Sequence, residues 1–88
     1  MDVRQLVAWN LRRLRVANNI SQDELALRAE VESAYVGHLE RATKNPTIET
    51  LERLADALKA PISELFVEPS HDQKRPEPLR AGRRRGER

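Results

Sequence analysis

Residues 21–41 read SQDELALRAEVESAYVGHLER, and their pattern decides the fold. Ser21 followed three residues later by Glu24 is a capping box, in which each side chain can satisfy the other's free backbone N–H at the start of a helix. Ile20 and Leu25 flank that start as a hydrophobic staple. Ala26 and Ala29 then place small residues on one face, so a second helix can cross closely before Val31, Val36 and Leu39 resume the apolar pattern. The spacing predicts two short helices joined by a three- or four-residue turn. The second, over about residues 32–41, presents Ser33, Ala34, Gly37, His38 and Arg41 outward.

Toward the N-terminus, Asp2 with Gln5 marks another helix start, and Val3, Leu6, Val7, Leu11 and Leu14 recur at helical spacing to about Asn18. Asn18 and Asn19 suit its end, because Asn tolerates the left-handed conformation. Toward the C-terminus, residues 42–47 (ATKNPT) form a loop: Pro46 disfavours helix at Asn45, and Thr47 can cap the next helix. Ile48, Leu51, Leu54, Ala55 and Leu58 then make one apolar stripe of a fourth helix running to about Lys59. Pro61 opens a last short helix, PISELF. Its Ile62, Leu65 and Phe66 are apolar out of proportion to its length, so they either close the core or face a partner. The expected architecture is all-α, five helices over residues 1–67. Residues 68–88 carry Pro69, Pro76, Pro78 and the run RAGRRRGER without any period, which predicts a disordered basic tail.

At 88 residues the chain has room for one small domain and a tail. Without cysteine it has neither a disulfide framework nor a thiolate metal site, and His38 and His71 are too far apart to suggest a metal constellation. Arg4, Arg12, Arg13 and Arg15 interrupt every early apolar run, so neither a signal peptide nor a membrane span is expected, and the cytoplasm is the expected compartment. No nucleophile stands near a base, and a core this small has little room for a concave site. An enzyme, a cofactor and a small-molecule ligand are therefore not expected. Charge is unevenly placed: residues 1–68 hold nine Lys and Arg against eleven Asp and Glu, while residues 69–88 hold seven against three. Any nucleic-acid contact must come from a local group of side chains on the body, because the basic pI is carried largely by the tail.

Three segments taken together resemble one family: SQDELA at 21–26, YVGHLER at 35–41 and NPTIETL at 45–51. It is the Cro and phage-repressor type of helix-turn-helix, lambda-repressor-like in fold, which includes small stand-alone regulators and those found with restriction-modification systems. The resemblance covers roughly residues 7–66. It implies that the second motif helix lies in the major groove of double-stranded DNA, with Ser33, Ala34, Gly37 and His38 facing bases. It also implies that Gln22, Lys44 and Asn45 meet the DNA backbone, and from their own placement Tyr35 and Arg41 are expected to meet it as well. Arg15 and Glu40 match a structural ion pair joining the first helix to the end of the recognition helix. A homodimer on a palindromic operator is the expected assembly, because one recognition helix with short side chains reads too few base pairs. Ile62, Leu65, Phe66 and Val67 are the candidate interface.

Departures from the family pattern are informative. Glycine usually stands in the motif's turn, after the recognition helix and after the fourth helix, where this chain has Glu30, Ala42 and Lys59. Either strain is tolerated there or those helix ends are shaped differently. Glu32 stands where Ser or Thr usually caps the recognition helix, and Ser33 could take over the cap by a one-residue shift. The acidic body and uncharged reading positions motivate a rival reading, a protein-interaction module of antitoxin or adaptor kind that keeps the fold.

Overall fold

A computed structural model describes residues 1–69. Among them are four α-helices and one 3-10 helix: α1 (Val3–Ala17), α2 (Gln22–Ala29), α3 (Ser33–Glu40), α4 (Ile48–Ala57) and the 3-10 helix Ile62–Phe66. The described residues contain no strand. The expected fifth α-helix is thus a single tight turn of 3-10 type. Pro61 fixes its entry and only five residues follow in helical conformation, too few to repay α-helix nucleation. The expected basic tail lies outside the described residues except for Glu68 and Pro69.

Each α-helix but one starts where a side-chain cap forms. Asp2 and Gln5 make a complete capping box, each side chain bonded to the other's backbone N–H at 2.9 Å. Ser21 Oγ accepts from the Glu24 N–H at 3.0 Å, but the return bond is missing because Glu24 Oε2 accepts from Arg28 Nε at 2.7 Å instead. Thr47 Oγ1 caps α4 through the Thr50 N–H at 3.0 Å. Helix α3 is the exception: it begins at Glu32 with no side-chain cap, so Ser33 does not take over that role.

All four α-helices end in the same way. The residue after each C-cap, or the C-cap itself in α2, is left-handed: Asn19, Glu30, Ala42 and Lys59 have φ of 59°, 62°, 62° and 56°. Each is followed by a residue whose N–H reaches back five positions, as in Val31 N–H to Ala26 O at 2.9 Å and Ala60 N–H to Ala55 O at 3.0 Å. This pair of features is the Schellman ending, in which the left-handed residue turns the chain so that otherwise orphaned carbonyls are satisfied. Ile20, Val31 and Ala60, each the residue after a left-handed position, pack against the core and so fix the exit direction. Glu30, Ala42 and Lys59 therefore carry strain that glycine would avoid, held there by the hydrogen bonds and, at Glu30 and Lys59, by the apolar contact as well.

The core is Leu11, Leu14, Leu25, Ala26, Ala29, Val36, Leu39, Leu51, Leu54, Ala55, Leu58 and Leu65, with Val7 at its edge. Three expected stripe members fall outside it: Leu6, which is only partly buried, and two others. Val3 and Ile48 sit in the first turns of α1 and α4, beyond the edge of the packed layer, and are largely exposed. Leu65 is completely buried, which removes it from any interface and makes it the residue that anchors the 3-10 helix. A buried Asn10 reinforces that anchor: its Nδ2 donates to Leu65 O at 3.0 Å and Val67 O at 2.8 Å, and Arg13 holds its Oδ1 at 3.0 Å. Ile62, Phe66 and Val67 remain exposed on the outside of the turn.

Candidate nucleic-acid interface

Helix α3 is held from behind by one carboxylate. Glu40 lies in its last turn with no exposed side-chain surface. Glu40 Oε2 accepts from Arg15 Nε at 2.6 Å, and Oε1 accepts from Arg15 NH2 at 3.0 Å, a two-pronged pairing matched to the guanidinium fork. Gln22 Nε2 donates to the same Oε1 at 3.0 Å, and Arg12 Nε approaches it at 3.4 Å. Arg15 NH1 also donates to Ile20 O at 3.0 Å, at the entrance to α2. One acid thereby ties α1, α2 and α3 together and sets the angle at which α3 projects.

Burial pushes the Glu40 carboxyl up, but the hydrogen bonds from Arg15 and Gln22 and the charges of Arg15 and Arg12 outweigh it. The group is held below its ordinary value of 4.5. It is therefore charged at neutral pH despite its burial. The pair fixes geometry more than it adds stability, since desolvation offsets much of the attraction.

The opposite side of α3 is open. Ser33 and Ala34 are exposed in its first turn, His38 is half-exposed one turn later, and Tyr35 leans against the core. The first N–H groups of α3 have no side-chain cap, which leaves donors free at the positive end of the helix dipole. Arg41, Lys44 and Asn45 are exposed just beyond α3, and Gln22 is half-buried at the start of α2. The backbone-facing candidates therefore bracket the base-facing ones, except that Gln22 spends its amide N–H on Glu40.

Gly37 departs from its expected place. It is buried, and a Cβ built on it would lie 3.2 Å from Arg41 NH1 and 3.6 Å from Gln22 Oε1. The glycine makes room for side chains folded over the helix and does not face outward. This accounts for a residue that costs a helix interior about 1 kcal/mol relative to alanine. Arg41 NH2 lies 3.2 Å from His38 Nδ1, and Thr43 Oγ1 lies 3.3 Å from the same nitrogen. Thr43 Oγ1 also donates to His38 O at 3.0 Å, within the Schellman ending of α3.

Sequence reasoning missed Arg12, Asn10 and Thr43. Arg12 stands one helical turn before Arg15, and that spacing was the available signal for a second cation on Glu40. Asn10 had no comparable signal, because the two carbonyls it clamps, those of Leu65 and Val67, lie more than fifty residues away. A half-open hollow of about 310 Å³ does exist between α1 and the end of α3, lined by Trp9, Arg12, Glu40 and Arg41 among others. No cluster of metal-binding side chains occurs among the described residues, and none of their helices is long and apolar enough to cross a membrane.

Comparison with known proteins places the chain among helix-turn-helix proteins. A family model described as helix-turn-helix matches residues 11–65. Control protein C.SmaI of Serratia marcescens is 38% identical over 67 residues, which are 76% of this chain and 80% of that protein. The uncharacterized HTH-type transcriptional regulator y4dJ of Sinorhizobium fredii is 42% identical over 67 residues, 76% of this chain and 87% of the relative. Among solved structures, the restriction-modification controller protein C.AhdI of Aeromonas hydrophila superposes with a TM-score of 0.70 at 35% identity, over 72% of this chain and 96% of its own.

Proposed function

The chain belongs to the Cro/C1-type helix-turn-helix family of transcriptional regulators, and from that premise we infer that it binds a palindromic operator as a homodimer, with α3 in the major groove of each half-site. The observation that carries this reading is the division of α3 into two sides. One is locked to α1 and α2 through Glu40, and the other leaves Ser33, Ala34 and His38 free over an uncapped N-terminus. A rigidly aimed helix with a free polar side is what base reading requires.

In this reading Ser33, Ala34 and His38 meet base edges, and Gln22, Tyr35, Arg41, Lys44 and Asn45 meet phosphates. A serine hydroxyl bonds to several bases and an alanine methyl touches thymine, so direct readout is modest and DNA shape supplies part of the preference. Two copies related by a two-fold axis place their α3 helices about 34 Å apart, one turn of the duplex. Ile62, Phe66 and Val67 are the interface residues proposed for that pairing, and residues 68–88 add salt-sensitive affinity through their arginines.

A fluorescence titration of a labelled promoter fragment against an unrelated fragment tests this. Binding that prefers one fragment and weakens steeply with salt supports the regulator. Absence of binding to any fragment at low salt contradicts it and favours a module that uses α3 to bind a protein.

A further inference from the structure

We propose that Arg41 is a positioning residue that fixes which ring nitrogen of His38 carries the proton, so that α3 offers a single directed donor, His38 Nε2–H, to a purine N7. The proposal rests on α3 being the DNA-reading helix.

Arg41 has donors only, and its NH2 lies 3.2 Å from His38 Nδ1. For that contact to be a hydrogen bond, Nδ1 must present its lone pair, and the neutral ring then carries its proton on Nε2. Thr43 favours the opposite state. Its hydroxyl proton is directed at His38 O at 3.0 Å, so the oxygen 3.3 Å from Nδ1 has only lone pairs left for the ring. Without Arg41, that oxygen is a ready acceptor for a proton on Nδ1. Arg41 and Thr43 therefore select different tautomers, and the position of the guanidinium decides between them.

Gly37 supplies that position. The guanidinium lies over the glycine so closely that a β-carbon there would meet NH1 at 3.2 Å and NH2 at 3.8 Å. An alanine at this site would crowd NH1 and push the guanidinium by a few tenths of an ångström. The remaining N–H groups of Arg41 stay available for a phosphate, so holding the histidine and meeting the DNA backbone are compatible. Nε2 has no hydrogen-bond partner among the described residues. In the major groove a lone donor matches purine N7, guanine O6 or thymine O4 and is rejected by the amino groups of adenine and cytosine. The N7 atom is common to both purines and is the acceptor assigned to this donor; thymine O4 in its place would leave purine N7 without a role at that position.

The test combines a ring measurement with a DNA measurement on the full chain. Long-range proton–nitrogen NMR of the ¹⁵N-labelled protein, with the histidine neutral, reports the tautomer. Wild type is expected as Nε2–H. Arg41→Ala is expected to raise the Nδ1–H population several-fold. Arg41→Lys, which keeps a donor, is expected to retain Nε2–H. A purely structural role for Arg41 would leave the ring unchanged in all of them, and that result overturns the proposal. For DNA, a duplex enriched by the wild-type protein from a random pool is remade with single 7-deazapurines. One position per half-site is expected to weaken wild type by about three- to tenfold, the range for one lost hydrogen bond, and to leave His38→Ala unaffected. If no 7-deaza position matters, the N7 contact is wrong while DNA binding stands. If the pool yields no enriched duplex at low salt, the DNA-binding reading itself fails, and the base contact falls with it.

Discussion

Glu40 has no exposed side-chain surface and receives donors from three other side chains. Its pKa lies below the ordinary value in the folded chain, so the folded state binds fewer protons than the unfolded state as the pH drops past 4.5. The resulting stabilisation is complete above the ordinary carboxylate range and is lost as the pH falls through the lower folded-state value. Thermal melts of wild type should therefore lose stability steeply in acid. Glu40→Gln should be weaker by about 3–5 kcal/mol at neutral pH, because it leaves Arg15 buried without its charge partner, and should depend much less on acid pH. The left-handed residues make a second prediction at this scale. Replacing Glu30, Ala42 or Lys59 by glycine relieves about 1–2 kcal/mol of backbone strain against about 0.5–1 kcal/mol of added chain entropy. Each replacement should stabilise the fold by roughly 0.5–1 kcal/mol in urea unfolding, the difference between those two effects. Asn19 should gain less, because asparagine already tolerates this conformation.

At the scale of elements, the 3-10 helix is held by Leu65 and by the Asn10 clamp, and the two can be tested apart. Asn10→Ala leaves the carbonyls of Leu65 and Val67 without their donor and should cost about 1–3 kcal/mol, with faster hydrogen exchange concentrated in residues 62–67. Equal exchange throughout the chain would mean that Asn10 serves the whole core and not this turn. The elements also show what a single sequence reveals. The caps at Asp2, Ser21 and Thr47 and the stripes of α1 and α4 are legible because they rest on neighbours three to seven residues apart. The missing glycines were legible as positions but not as conformations, since at Glu30 and Lys59 the choice between strain and a different ending depends on Val31 and Ala60 docking on a core built from all four helices. PISELF was legible as an apolar segment that either closes the core or faces a partner. Its 3-10 geometry was not, because its length is set by where Leu65 must land. The role of Gly37 was hidden because it depends on Arg41 folding back over the helix.

For the whole molecule, the same three layers of contact explain how a slightly acidic body can act on DNA. A buried acid aims α3; in the proposed reading the exposed side of α3 then meets the bases, and pairing of two copies multiplies a modest readout. The pairing surface proposed here is Ile62, Phe66 and Val67, all exposed in the single chain. Phe66→Glu should shift sedimentation toward monomer and weaken DNA binding while leaving the melting temperature of dilute protein nearly unchanged. Leu65→Ala should instead lower stability by about 2–5 kcal/mol, as expected for a core residue. A Phe66→Glu protein that remained dimeric would place the interface elsewhere.

The central claim is that α3 reads double-stranded DNA as one of a symmetric pair. Selection of bound fragments from random DNA by the wild-type protein tests it most directly. The expected result is one enriched motif with two inverted half-sites, their centres about one helical turn apart, bound by two copies and lost when Ser33, Ala34 and His38 are replaced together. Enrichment of no motif, or of a motif that survives that replacement, would contradict it.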